Sequence, residues 1–122
     1  MKRILCLEDS EDVQRSIARK VIAPVYPAYD LDEAITLYVL GGLDDCSAII
    51  TDINLDRSNS RSEEGLYFVK MVRQTNKDLP IYVYSDKKLT RKALAAGATA
   101  FFEKRVQFRD LVDRVNALVE EK

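Results

Sequence analysis

The apolar positions of the chain fall into two rhythms. Five short runs, residues 3–7, 25–29, 48–51, 81–84 and 100–102, are mostly continuous rather than alternating. That is the pattern of strands covered on both faces of a parallel sheet. Between them, apolar residues recur at helical spacing. Val13, Ile17 and Val21 follow the polar opening EDSED, and Ala34, Ile35, Tyr38 and Val39 form a second stripe, stopped by Gly41-Gly42. Leu66, Val69 and Val72 make a third stripe after Gly65. The segment LTRKALAAG is a short fourth, closed at Gly97, where a left-handed cap is expected. Phe108, Leu111, Val112, Val115, Leu118 and Val119 give the fifth and cleanest. Strand and helix alternate five times, which predicts an α/β fold: a doubly wound sandwich, with residues 1–122 as a single domain. Pro27 removes a ladder donor, so the second strand should lie at an edge or be irregular. Residues 56–64, DRSNSRSEE, form a long polar loop with no apolar anchor, expected to be mobile.

Composition narrows the function. A chain of 122 residues with 47% hydrophobic and 32% charged residues is long enough for a real core and ordinary for a soluble globular domain. The net charge of −1 offers no basic excess to neutralise phosphates, which argues against nucleic acid as a partner. Histidine is absent from the sequence, and with it go the usual zinc sites, histidine-assisted nucleophiles and any phosphohistidine carrier. Cys6 and Cys46 stand alone, consistent with a reducing compartment and no disulfide framework. The opening MKRILCLEDSED turns acidic too early for a signal peptide, and no apolar run is long enough to span a bilayer. A cytoplasmic protein without membrane contact is expected, and Met1 directly before the first run fits a natural N-terminus.

The candidate chemistry sits at the strand ends. In open α/β sheets, ligands bind beyond the carboxyl ends of the strands. The first run ends in Glu8-Asp9, the third in Asp52, the fourth in Ser85 and the fifth in Lys104. Each has an ordinary reading: Glu8 or Asp9 can cap the helix that EDSED opens, Ser85 can satisfy a turn, and Lys104 can be solvated. Together they would converge on one rim, near the point where strand order reverses. Two like charges about 4 Å apart repel by roughly 4 kcal/mol at an effective dielectric of 20. Three ionised acids in one pocket therefore carry on the order of 10 kcal/mol of repulsion, comparable to a domain's whole stability. Lys104 offsets part of this, and a hard divalent cation offsets more. Oxygen-only ligands suit Mg²⁺. An Asp52 oxygen can then act as a nucleophile toward phosphorus, with Lys104 and the Ser85 hydroxyl holding the phosphoryl oxygens.

The pieces ILCLEDSED, AIITDINLD, LPIYVYSD and AGATAFFEK, at their spacing, resemble a receiver domain of two-component response regulators over essentially the whole chain. The resemblance implies a flavodoxin-like five-stranded parallel sheet in order 2-1-3-4-5 with five helices. It also implies that Asp52 accepts a phosphoryl group from the phosphohistidine of a sensor histidine kinase or histidine phosphotransfer protein. Mg²⁺ would be ligated by Asp9, by Asp52, by the backbone carbonyl of Asn54 and by Glu8, the last mainly through water. Ser85 would move toward the attached phosphoryl group and Lys104 would pair with it. Phe101 matches the switch aromatic, whose inward rotation reports phosphorylation on the face made by the fourth helix, fifth strand and fifth helix. The output implied is a contact with a downstream protein or a homodimer.

The chain departs from that pattern in several places. Arg105 stands where the family usually has proline, and a non-proline cis bond costs about 2.5–4 kcal/mol, so a trans Lys104–Arg105 bond and a reshaped loop are expected. Asp86 replaces the usual small residue after the hydroxyl, putting bulk and charge near a phosphodonor. The loop after Asp52 is longer than usual and lacks its customary proline, and the fourth helix is short. Two rival functions follow. One is a pseudo-receiver, a binding module that is not phosphorylated, to which Asp86 and Arg105 point. The other is a small aspartyl-phosphate phosphohydrolase, which commonly places a general acid two residues after the nucleophile, where this chain has Asn54. An enzyme is not expected beyond self-catalysed phosphorylation and dephosphorylation.

Overall fold

The computed structural model describes residues 3–40 and 45–120. Strands and helices alternate as β1 (Arg3–Leu7), α1 (Glu11–Lys20), β2 (Val25–Ala28), α2 (Leu31–Val39), β3 (Cys46–Thr51), α3 (Glu64–Arg73), β4 (Ile81–Ser85), α4 (Thr90–Ala96), β5 (Ala100–Glu103) and α5 (Phe108–Glu120). The strands form one parallel sheet in the order β2-β1-β3-β4-β5, the flavodoxin-like arrangement expected from the resemblance. Gly41-Gly42, read as the stop of the second helical stripe, lies outside the described residues.

The continuous apolar runs reflect burial on both sides of the sheet. In β1, Leu5 and Leu7 face a core with Phe68, Val69 and Val72 of α3 and Ala93 of α4. Ile4 and Cys6, one pleat away, face Ile17 of α1 and Leu111 and Val115 of α5. In β3 the pairing to β1 shifts between Arg3 and Ile4. A residue inserted there reverses the alternation, which is why Cys46 joins the first core while Ala48 and Ile50 join the second.

Pro27 lies in β2, which pairs only with β1 and is therefore an edge strand, as its missing donor requires. Gly97 closes α4 with φ +119°, the left-handed cap read from LTRKALAAG. The seven residues of α4 make it the shortest helix among the described residues.

Residues 56–64 carry the polar loop read from the sequence up to Glu64, where α3 begins. They lack an apolar anchor, yet they are organised by polar bonds within and around the segment. The Asp56 carboxylate accepts from the Ser58 amide at 3.0 Å, the Asn59 side chain accepts from the Arg61 amide at 3.0 Å, and Asn54 donates to the Asn59 carbonyl at 3.1 Å. Ser62 is buried, and its carbonyl accepts from Lys87 at 3.3 Å. Short polar side chains bonding to nearby backbone replace a hydrophobic contact as the fastening here.

Candidate functional site

The strand order reverses between β1 and β3, and both strands end in acids. The Asp52 amide donates to the Leu7 carbonyl at 2.9 Å, extending the β1–β3 ladder one step and fixing Asp52 beside Glu8 and Asp9. At the other side, the Lys104 amide donates to the Ser85 carbonyl at 3.0 Å, so the end of β4 sets where the lysine begins. Lys104 then reaches across the sheet end. Its Nζ is 2.5 Å from Glu8 Oε1 and 2.7 Å from Asp52 Oδ2, and its side chain is only 12% exposed. A carboxylate at the end of a buried run needs partners, and both its oxygens have one: Asp52 Oδ1 accepts from the Ile53 amide at 2.6 Å, and Oδ2 accepts from Lys104.

The capping alternative for the first acids has a definite outcome. Ser10 is the N-cap of α1, its hydroxyl accepting from the Val13 amide at 3.3 Å. Asp9 is left to face the cleft, while Glu8 turns inward to Lys104 and accepts from the Ser10 amide at 2.9 Å. Gln14 steadies this turn by donating to the carbonyls of Cys6 and Glu8 at 2.8 and 3.0 Å. One oxygen each from Glu8, Asp9 and Asp52 lie within 4.8 Å of one another. An all-oxygen set of three carboxylates fits the donor chemistry of Mg²⁺.

The cleft above these acids has a volume of about 350 Å³ and is bordered by Asp9, Asp52, Asn54, Ser85 and Lys104. Asn54 uses its side chain locally, accepting from the Asp56 amide. Ser85 is buried, its Oγ accepting from the Lys87 amide at 3.2 Å. Asp86 also borders the cleft, with its carboxylate 3.8 Å from the Arg105 guanidinium and both side chains mostly exposed. Such a pair is worth little. There is no cis peptide among the described residues, and Arg105 takes φ +72°, so the loop is reshaped as the missing proline required. Placing a non-glycine residue there costs about 1–2 kcal/mol. Phe101 stands apart from the cleft, half-buried against the core that includes α4.

Three neighbours of the site were not legible in the sequence. Arg57 donates to Asp9 Oδ2 at 3.0 Å, Lys87 borders the cleft, and Tyr84 lies under Lys104, with its ring centre 5.9 Å from Nζ. Gly65 is a fourth hidden determinant. A Cβ at that position would sit 1.6 Å from the Asp52 carbonyl oxygen, so only glycine lets α3 start against the end of β3. Glu63 provides no side-chain cap for α3, and the Gly65 amide instead donates to the Ile53 carbonyl at 2.9 Å.

Burial and the nearby Asp52 charge push the Glu8 carboxyl up to about 7, against the pull of Lys104. Burial lowers the Lys104 ammonium, but Asp52 and Glu8 outweigh it and hold its pKa above the ordinary value. A carboxyl that binds its proton more tightly when folded stabilises the fold at low pH, and that contribution is lost as pH rises from about 4.5 through 7. In chelator, stability should therefore fall by about 3 kcal/mol between pH 5 and pH 8. Thermal melts of wild type and Glu8→Gln check this, because the amide should remove most of the fall.

The sequence profile of the family described as "Response regulator receiver domain" matches residues 4–116. The fold is similar to that of a Francisella response regulator receiver domain, with 20% identity, a TM-score of 0.78, and 99% and 98% of the two chains covered. It is also similar to a Clostridium thermocellum response regulator receiver domain protein, with 16% identity, a TM-score of 0.79, and 99% and 96% covered. A third is the Thermotoga maritima response regulator TrrA, solved in complex with Mg(2+)-BeF, with 23% identity, a TM-score of 0.77, and 97% and 99% covered. No curated protein matches the chain.

Proposed function

The chain belongs to the response regulator receiver family, and from that premise we propose that its 122 residues are one receiver domain, phosphorylated on Asp52 and signalling through protein contacts. The observation that carries this reading is Lys104 Nζ lying 2.7 Å from Asp52 Oδ2, at the floor of an open cleft rimmed by Asp9 and Ser85. A carboxylate held this way is accessible to a phosphodonor and has a cation ready for the charge that arrives.

Asp9, Asp52 and the Asn54 carbonyl would hold Mg²⁺, with Glu8 reaching it through water. Bound there, the ion supplies positive charge to the phosphoryl oxygens. An Asp52 carboxylate oxygen attacks phosphorus, the bond from phosphorus to the donor histidine nitrogen breaks, and the histidine keeps the electron pair. Lys104 then exchanges its contact with Asp52 Oδ2 for a phosphoryl oxygen. Ser85 Oγ, which accepts from the Lys87 amide, uses its O–H hydrogen to donate to another. Phe101 is the switch aromatic, half-buried over the α4-side core and able to turn further in once Ser85 moves. The donor is a sensor histidine kinase or a histidine phosphotransfer protein in the cytoplasm. The receiver of the signal is a downstream protein or a second copy of the chain. Hydrolysis of the acyl phosphate acts as a timer and is not turnover of a substrate.

Intact-protein mass after treatment with Mg²⁺ and a small acyl-phosphate donor tests this. One added phosphoryl group is expected. No gain, beside a receiver that does gain one, would favour the pseudo-receiver reading, in which Asp86 at the rim and the strained Arg105 loop close the site to donors.

A further inference from the structure

Of the cations lining the cleft beside Lys104, one reaches an acid of the site directly. Arg57 sits five residues beyond Asp52 in sequence, in the polar-bonded segment, and its Nε donates to Asp9 Oδ2 at 3.0 Å. The two partners differ in setting. The Arg57 side chain is 74% exposed, while the Asp9 side chain is 18% exposed. Among the described residues Asp9 is the one partner of this guanidinium, so the arginine has no other tie to the position.

Arg57 also forms part of the wall between two depressions. On one side is the phosphoacceptor cleft. On the other is a shallower surface lined by Asp9, Ser10, Glu11, Asp12 and Arg15. A guanidinium leaving Asp9 can therefore move toward Glu11 on that surface, where Asp12 is already paired with Arg15 at 2.8 Å. Staying on Asp9 Oδ2 weakens the hold of that carboxylate on an ion. An oxygen bonded to a guanidinium N–H cannot give its full charge to a cation, and two positive charges beside one carboxylate repel.

We propose that Arg57 is a tethered competitor of the divalent cation at Asp9, so that the guanidinium and the ion occupy this carboxylate in turn and Arg57 sets how tightly the ion is held. The inference rests on the metal reading given above. It makes Arg57 a positioning residue that tunes loading. It has no part in the transfer of the phosphoryl group.

Calorimetric titration of MgCl₂ into the chelator-treated full chain tests it, comparing wild type, Arg57→Gln and Arg105→Gln. Arg57 is exposed and makes no core contact, so its replacement leaves the fold intact. The competitor predicts that Arg57→Gln binds Mg²⁺ about two- to fivefold more tightly, the range expected on removing one largely exposed ion pair. Arg105→Gln removes an equal charge from the same rim without touching Asp9, and should shift the affinity less than half as much. Equal affinities for wild type and Arg57→Gln would overturn the competitor while leaving the metal site standing. Equal gains in both variants would reduce the effect to rim charge and overturn it too. Absence of binding in all three proteins would remove the metal site itself, and the competitor with it.

Discussion

Asp52→Asn is expected to gain no phosphoryl group from an acyl-phosphate donor, and in chelator to be about 1 kcal/mol more stable than wild type. The first outcome follows from the role proposed for Asp52: an amide oxygen lacks the charge and basicity to attack phosphorus. The second depends on what Lys104 does next. In wild type its ammonium serves two carboxylates, Glu8 at 2.5 Å and Asp52 at 2.7 Å, with Asp9 nearby. Removing the Asp52 charge leaves Lys104 paired with Glu8, so no buried cation is orphaned, and it relieves the repulsion that, after burial, lifts the Glu8 pKa. The same variant should show a smaller fall in stability between pH 5 and pH 8, and a smaller rise on adding Mg²⁺. Intact mass and thermal melts with and without Mg²⁺ check all of these. A lower melting temperature in chelator would mean that the Lys104–Asp52 pair outweighs the repulsion among the acids.

Gly65→Ala should lower stability by about 3 kcal/mol or more, which is roughly 10 °C in melting temperature for a domain of this size. The sign is informative. Within an ordinary helix this change helps by about 1 kcal/mol, because alanine is the better helix former. Here the added carbon would fall 1.6 Å from the Asp52 carbonyl oxygen and 2.7 Å from its carbonyl carbon. Both are backbone atoms, unable to swing aside as a long side chain would. The start of α3 must move off β3, and the Gly65–Ile53 hydrogen bond goes with it. Asp52 is displaced in the process, and errors of about 1 Å in a reacting group commonly cost on the order of 100-fold in rate. Phosphoryl uptake should therefore slow along with the loss in melting temperature. A stable variant with a normal rate would mean that α3 has room the geometry does not show.

The parts of the site that sequence reveals are those marked twice, once by an apolar run and once by a polar residue at its end. Glu8-Asp9, Asp52, Ser85 and Lys104 each meet that test, and the ladder bonds from Asp52 to Leu7 and from Lys104 to Ser85 bring them together. Pro27 and Gly97 were legible for a similar reason, since each has one restricted backbone role. Arg57 had no such mark. Its position depends on a chain of small side-chain-to-backbone bonds through Asn54, Asp56 and Asn59, none of which follows a periodicity. Gly65 was visible only as a residue before a helical stripe, because its crowding comes from a strand 13 positions earlier in the chain. The shift that reverses the face of Cys46 is equally silent in sequence, since both faces are apolar.

The edge strand β2 has a consequence for how the protein behaves in a crowded solution. An open parallel sheet invites another chain to add a strand along its free margin, the first step toward fibrous association. One of the four residues of β2, Pro27, has no amide hydrogen to offer, and the strand is too short to supply many others. This margin therefore terminates the sheet, and molecules meeting there have little with which to anneal.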